Sequence, residues 1–290
     1  MASLPLPVLY AISAAALFGL AVSLTRFALA YMSPVRGALI AIPVVALALW
    51  LAAPFALDLS GWHWIAVGIF TVVGVFFPAL VTMLMFEANR RIGPTSASTL
   101  GGTSPVFALM GGILFLGEPL SPHAIGGTLA VVAGIALISG WGTAKRLQAI
   151  DIAIPLGAAF VRGMAQTFVK MGMGFWANTF AATLVVYTVS SFTVLASQKR
   201  DAGAAGTAKA GWPLRGVLWF SLVGLLNGAA VFVLYLGLRT GAVSVVSPIG
   251  ASFPLFALVF SAMLSRTLPT PRAVAGALVT VAGVALIVAG

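Results

Sequence analysis

Ten apolar stretches of close to 20 residues each follow one another along the chain, at about 7–27, 34–53, 62–86, 94–116, 123–141, 151–170, 175–197, 213–236, 242–264 and 271–289. A helix of that length crosses about 30 Å of hydrocarbon, and lipid leaves the backbone no partner outside its own segment, so each stretch is predicted to be a spanning helix. With 61% hydrophobic and only 7% charged residues and a mean hydropathy of +1.13, the chain has far more apolar surface than a soluble core can use. The expected fold is therefore an all-α polytopic membrane protein without a soluble domain. The first stretch has no basic residue ahead of it and no cleavage signal, and it reads as a retained span. The polar stretch 197–211 reads as a flexible connector.

The ten stretches form two sets of five. Shifting the chain by 149 positions lays Ser98 to Ile138 on Ser247 to Ile287 without a gap, with 16 of 41 positions identical. About 4 would be expected by chance, at roughly one in ten for a composition this biased. The shift carries the third, fourth and fifth stretches onto the eighth, ninth and tenth, so the repeat holds five spans: 1–142 and then 143–290. A unit with an odd number of spans must enter the membrane the other way round the second time, which predicts two inverted five-helix repeats. The first and sixth stretches agree at a slightly different offset, Gly19 and Arg26 matching Gly163 and Lys170.

The net charge of +10 would suggest nucleic acid in a soluble protein, but here the basic residues stand singly or in pairs between apolar runs, as loop anchors do. Their distribution is uneven. The odd-numbered connections carry Arg26, Arg36, Arg90, Arg91, Lys145, Arg146, Lys199, Arg200, Lys209, Arg215, Arg266 and Arg272, twelve residues, against Lys170 and Arg239 on the even ones. By the positive-inside rule that count places the odd connections in the cytoplasm and both termini outside.

Several local patterns recur in both halves. Pro105-Val106-Phe107-Ala108-Leu109 falls on Pro254-Leu255-Phe256-Ala257-Leu258; Leu116-Gly117-Glu118-Pro119-Leu120 follows the first copy, and Ala133-Gly134-Ile135-Ala136-Leu137 pairs with Ala282-Gly283-Val284-Ala285-Leu286. Together with Phe18-Gly19 and Arg26 near the start, this arrangement resembles the EamA module of the drug/metabolite transporter superfamily, twice over and across essentially the whole chain. The resemblance implies a carrier of small metabolites in a bacterial-type inner membrane, chiefly an exporter of amino acids of the aromatic amino-acid exporter kind. Multidrug efflux or uptake of another metabolite is the alternative. It also implies that both termini face the cytoplasm, opposite to the charge count. The chain departs from the family's pattern at one place: Glu118 is matched by Thr267, not by a second carboxylate.

Candidate substrate contacts come from polar, small or kink-forming residues at membrane depth. Proline frees a carbonyl one turn back and small residues expose backbone, so Thr99, Gly102 and Thr103 ahead of Pro105, and Ser247 and Ser252 around Pro254, could either bind a polar solute or let helices pack closely. Arg162, Gln166 and Lys170 lie at i, i+4 and i+8 on one face of the sixth span. A guanidinium at that depth must face protein or water, unless it snorkels to an interface, and a substrate carboxylate would be its natural partner. Pro78 and Asn227 occupy matching positions in the third and eighth spans, Thr82 lies one turn beyond Pro78, and Asn227 needs a partner in hydrocarbon, from another helix or from substrate. Phe18, on the span that matches the sixth, is the aromatic wall candidate. The site is thereby expected between the fourth and ninth spans, walled by the first, third, sixth and eighth.

The five carboxylates, Asp58, Glu87, Glu118, Asp151 and Asp201, all fall at span ends or in connections, where a buried proton-coupling acid is not expected. An intramembrane enzyme would need a nucleophile with a base or a metal cluster. There is no cysteine, and the two histidines, His63 and His123, stand apart at span starts. No cofactor or metal is expected, and the partners are a small-molecule substrate and the lipid bilayer, not nucleic acid, with a monomer as the working unit.

Overall fold

The computed structural model describes residues 5–119, 121–139, 148–201, 212–266 and 268–290; the Thr267 position singled out above lies outside them. Among the described residues there are twelve helices: α1 (Leu6–Leu29), α2 (Pro34–Ala56), α3 (Trp64–Phe76), α4 (Ala79–Gly101), α5 (Ser104–Leu116), α6 (Pro122–Ser139), α7 (Ala149–Phe175), α8 (Thr179–Asp201), α9 (Leu214–Thr240), α10 (Val243–Gly250), α11 (Phe253–Ser265) and α12 (Pro271–Ala289). They compose ten helical stretches long and apolar enough to cross a membrane. The third span runs Trp64–Ile92 through α3 and most of α4, the fourth Ser96–Leu116 through the end of α4 and α5, and the ninth Val243–Leu264 through α10 and α11. Helix starts carry the expected chemistry: Ser33 and Thr270 accept from the amides of Arg36 and Ala273, each ahead of a proline in the first turn of its helix.

The breaks in the fourth and ninth spans are copies of each other at the 149-residue shift. Pro105 and Pro254 cannot donate to the carbonyl four residues back, and the chain tightens there. Thr103 Oγ1 donates to the Leu100 carbonyl at 2.7 Å and Ser252 Oγ to that of Ile249 at 2.6 Å. The amides of Gly102 and Ala251 reach Ser98 O and Ser247 O, both at 2.9 Å. The third and eighth spans differ: Pro78 divides α3 from α4, whereas Asn227 sits in an unbroken α9 and donates to Val223 O at 2.9 Å.

Inversion is visible in the α6–α12 crossing. A Cβ added at Gly127 would come within 2.7 Å of the Gly283 carbonyl, and one at Gly134 within 2.7 Å of that of Gly276. Advancing along α6 therefore means retreating along α12, so these equivalent helices are antiparallel and the shift maps one contact onto the other. The repeats also interleave. Gly19 of α1 rests on the backbone of α11 at Phe253 and Ala257, while Gly163 of α7 rests on α5 at the equivalent Ser104 and Ala108. Because carbonyls line these crossings, Gly134→Leu is expected to cost about 1–3 kcal/mol by overpacking, read as a lower Tm in detergent; an unchanged Tm would show that the helices do not meet this closely.

Candidate substrate cavity

Between the repeats lies a cavity of about 440 Å³. Its walls come from every span except the fifth and tenth, which are occupied with each other at the crossing just described. At one end the lining reaches Leu29 and Pro34, both exposed, with Thr25 and Asn89 beside them. At the other it stops at Tyr235 and Ser247, which are 1% and 2% exposed. The cavity thus opens on the side of the odd-numbered connections and is closed toward the side of the termini.

Aromatic and small residues alternate around the mouth. Phe18 of α1 and Phe253 of α11 meet at 6.1 Å between ring centroids, at 58°. Phe77, Phe86 and Phe220 add further ring surface, and on α2 Gly37, Ala38 and Ala41 form a smooth wall. That wall exists because α9 comes very close to α2: a Cβ at Gly224 would meet Ala41 backbone.

The polar groups gather deeper. Arg162 lies near the middle of the 27-residue α7 and lines the cavity. Among the described residues its guanidinium makes no hydrogen bond or ion pair. One turn along, Gln166 Oε1 is buried without a partner, as are Tyr235 Oη and Ser247 Oγ, all three on cavity-lining residues. Buried polar atoms are normally satisfied, and orphans that cluster call for an explanation. Here they surround one space, and a polar solute in it would satisfy them together. Among the described residues no Asp or Glu lines the cavity, so none of them offsets the Arg162 charge from its walls.

Of the residues singled out from sequence, Phe18, Pro78, Thr82, Arg162, Gln166, Asn227 and Ser247 lie on this surface. Thr99, Gly102, Thr103 and Ser252 do not. Thr103 and Ser252 turn their hydroxyls back onto the helix breaks; Thr99 is buried, and Gly102 packs on Ile135 of α6. Among the described residues, the fourth span shows the cavity only Ser104. Lys170 also leaves the face it shares with Arg162: its Nζ donates to Glu118 Oε1 at 2.9 Å and to the Gly241 carbonyl at 2.7 Å. Wall residues that sequence reasoning missed are those of α2, which has no polar residue at that depth to attract notice, and Tyr187 of α8. Tyr235 was within reach, since an intramembrane phenol two turns from Asn227 needs a partner.

The comparisons with known proteins agree with this architecture. A solved structure described only as "Crystal structure of protein" is 16% identical, with 97% of this chain and 95% of that one superposed at a TM-score of 0.77, which shows a shared fold. No curated protein matches the chain. The family model of the EamA-like transporter family matches residues 5–140 and again 150–289, one copy for each repeat. A chain whose two halves each carry this module, and which encloses a cavity between them, belongs to the EamA-like transporter family.

Proposed function

We propose that this transporter exports amino acids, binding them in the cavity between its repeats and releasing them by alternating access. Supporting this reading above all is Arg162, a cation in mid-span with no partner among the described residues and no carboxylate on the surrounding walls. A buried charge is costly until it is paired, and a planar guanidinium holds a carboxylate through two parallel bonds. Gln166 Oε1, Tyr235 Oη and Ser247 Oγ nearby can accept from an ammonium group. Carboxylate and ammonium on one carbon suit such a floor, and the rings of Phe18, Phe77 and Phe253 suit an apolar side chain. The same charge repels lipophilic cations, which a drug exporter would meet with an acid.

Vesicles reconstituted with the purified protein and offered labelled amino acids, sugars and cationic drugs are expected to move neutral amino acids and to leave sugars and cations behind. Transport of cationic drugs with no transport of amino acids would replace this reading with multidrug efflux.

A further inference from the structure

The closed end of the cavity is held by a buried polar cluster that joins the two repeats. Gly117, at φ +64°, ends α5 in the left-handed region and lets the Glu118 amide bond back to Gly112 O at 3.1 Å. That turn sends the Glu118 side chain under the end of α5 toward the second repeat. Its Oε1 accepts from Val243 N at 2.6 Å and its Oε2 from Ser244 N at 2.9 Å, the first two amides of α10, whose own N-cap residue is Ala242 and offers no side-chain cap. The carboxylate thus supplies in trans the cap and the negative charge that a helix start favours. Lys170 of α7 completes the cluster by binding Glu118 and Gly241 O together. The Glu118 side chain is 7% exposed. Burial raises its carboxyl, but the Ser244 and Val243 donors and Lys170 outweigh burial and hold it below the ordinary range.

The sequence denies the other end such a cluster twice over. At the 149-residue shift Glu118 becomes Thr267, and Val243 corresponds to Pro94, which has no N–H to give. Lys170 corresponds to Arg26. One end of the carrier is therefore fastened by a buried carboxylate that takes an ion pair and two charge-assisted hydrogen bonds from the other repeat, whereas the pseudo-symmetric positions lack the carboxylate and one of the amide donors. The open end is joined between repeats by the more exposed pair of Arg91 and Asp151 at 3.5 Å, and surface pairs of that kind contribute little. The end that carries the cluster is the end that is closed.

We infer that Glu118 is the latch of the gate on the terminal side, and that its one-sidedness makes the cavity of the resting carrier open toward the basic connections. This rests on the alternating-access reading above. When the latch parts, α10 must leave Glu118, and the ninth span is already broken at Ala251 and Ser252 so that α10 can move without α11.

The chain contains no cysteine, so single cysteines report accessibility directly. Val246→Cys places one on α10 at the closed end, where Val246 is fully buried against Gly237 and Gly241 of α9. Thr25→Cys places another at the open mouth. In vesicles treated with a membrane-impermeant thiol reagent from both sides, Thr25→Cys is expected to react quickly and Val246→Cys slowly. Adding Glu118→Gln is expected to raise the Val246→Cys rate about tenfold, the loss of one charge-assisted hydrogen bond, and to slow Thr25→Cys. Glu118→Asp should lie between the parent and Glu118→Gln. A Val246→Cys rate that does not rise, or a rise at both sites as in a loosened fold, would overturn the latch. If the rates shift as described while no amino acid is carried, the latch stands and the substrate reading fails. If amino acids are carried but the rates do not shift, the reverse holds.

Discussion

Replacing Arg162 by alanine is expected to remove transport of a carboxylate substrate without harming the fold. The guanidinium has no partner among the described residues to lose, so its removal strands no carboxylate, and taking an unpaired charge out of a low-dielectric region costs the folded state nothing. Detergent Tm should stay the same or rise. The bound substrate, by contrast, would lose two charge-assisted hydrogen bonds at about 1.5–3 kcal/mol each, or roughly 10²- to 10⁴-fold in affinity. Lysine at this position should recover only part of that, because an ammonium cannot offer the two parallel donors of the guanidinium fork. A variant that transports normally would take Arg162 out of the site; one that unfolds would make it a structural residue.

The second large effect concerns two glycines that fix where the cavity walls stand. At Gly163 an added Cβ would lie 2.6 Å from the Ser104 carbonyl and 2.8 Å from the Ala108 amide; at Gly19 it would lie 2.7 Å from the Ala257 amide and 2.9 Å from the Phe253 carbonyl. These neighbours are backbone at the start of α5 and α11, the helices that follow the breaks, and backbone cannot swing aside as a side-chain tip does. Gly163→Leu and Gly19→Leu are each expected to cost more than about 3 kcal/mol and to abolish a monodisperse detergent peak. Gly157, on the same helix as Gly163, has nothing within 4 Å of its Cβ position. Gly157→Ala should be neutral or stabilising by up to about 1 kcal/mol, the ordinary helix preference for alanine. Equal losses at Gly157 and Gly163 would mean that helix propensity, not close approach, decides both.

Much of the fold is legible because the bilayer makes hydrophobic length an almost direct readout of spans. All ten segments read from sequence correspond to spans, with ends differing by up to a turn or two where polar residues continue a helix, as Glu87 to Ile92 do in the third. The 149-residue match is what makes inversion readable, and the Gly127/Gly134 and Gly276/Gly283 sets that carry part of that identity are the residues at the antiparallel crossing. The site is less legible. Serine, threonine and glycine clusters announce a disturbed helix, but not whether their polar atoms face a cavity or mend the helix; at Thr103 and Ser252 they mend it. A charge at mid-span is a stronger signal, since lipid forbids the alternative, and Arg162 with Gln166 is where sequence reasoning and the cavity coincide. The α2 wall was hidden for the opposite reason: a smooth apolar wall looks like lipid-facing surface until its neighbours are known. Glu118 was visible as a lone carboxylate with no twin, yet only the structure brings it to the α10 amides.

The most direct test of the central claim is counterflow. Vesicles containing the protein are loaded with a neutral amino acid and diluted into a trace of the same labelled compound, and uptake of label is followed over time. The account predicts a saturable, transient accumulation of label in loaded vesicles that is absent in unloaded ones and lost in Arg162→Ala. Uptake that rises linearly with concentration, gains nothing from the internal load, or persists unchanged in Arg162→Ala would contradict a carrier that binds its substrate at this cavity.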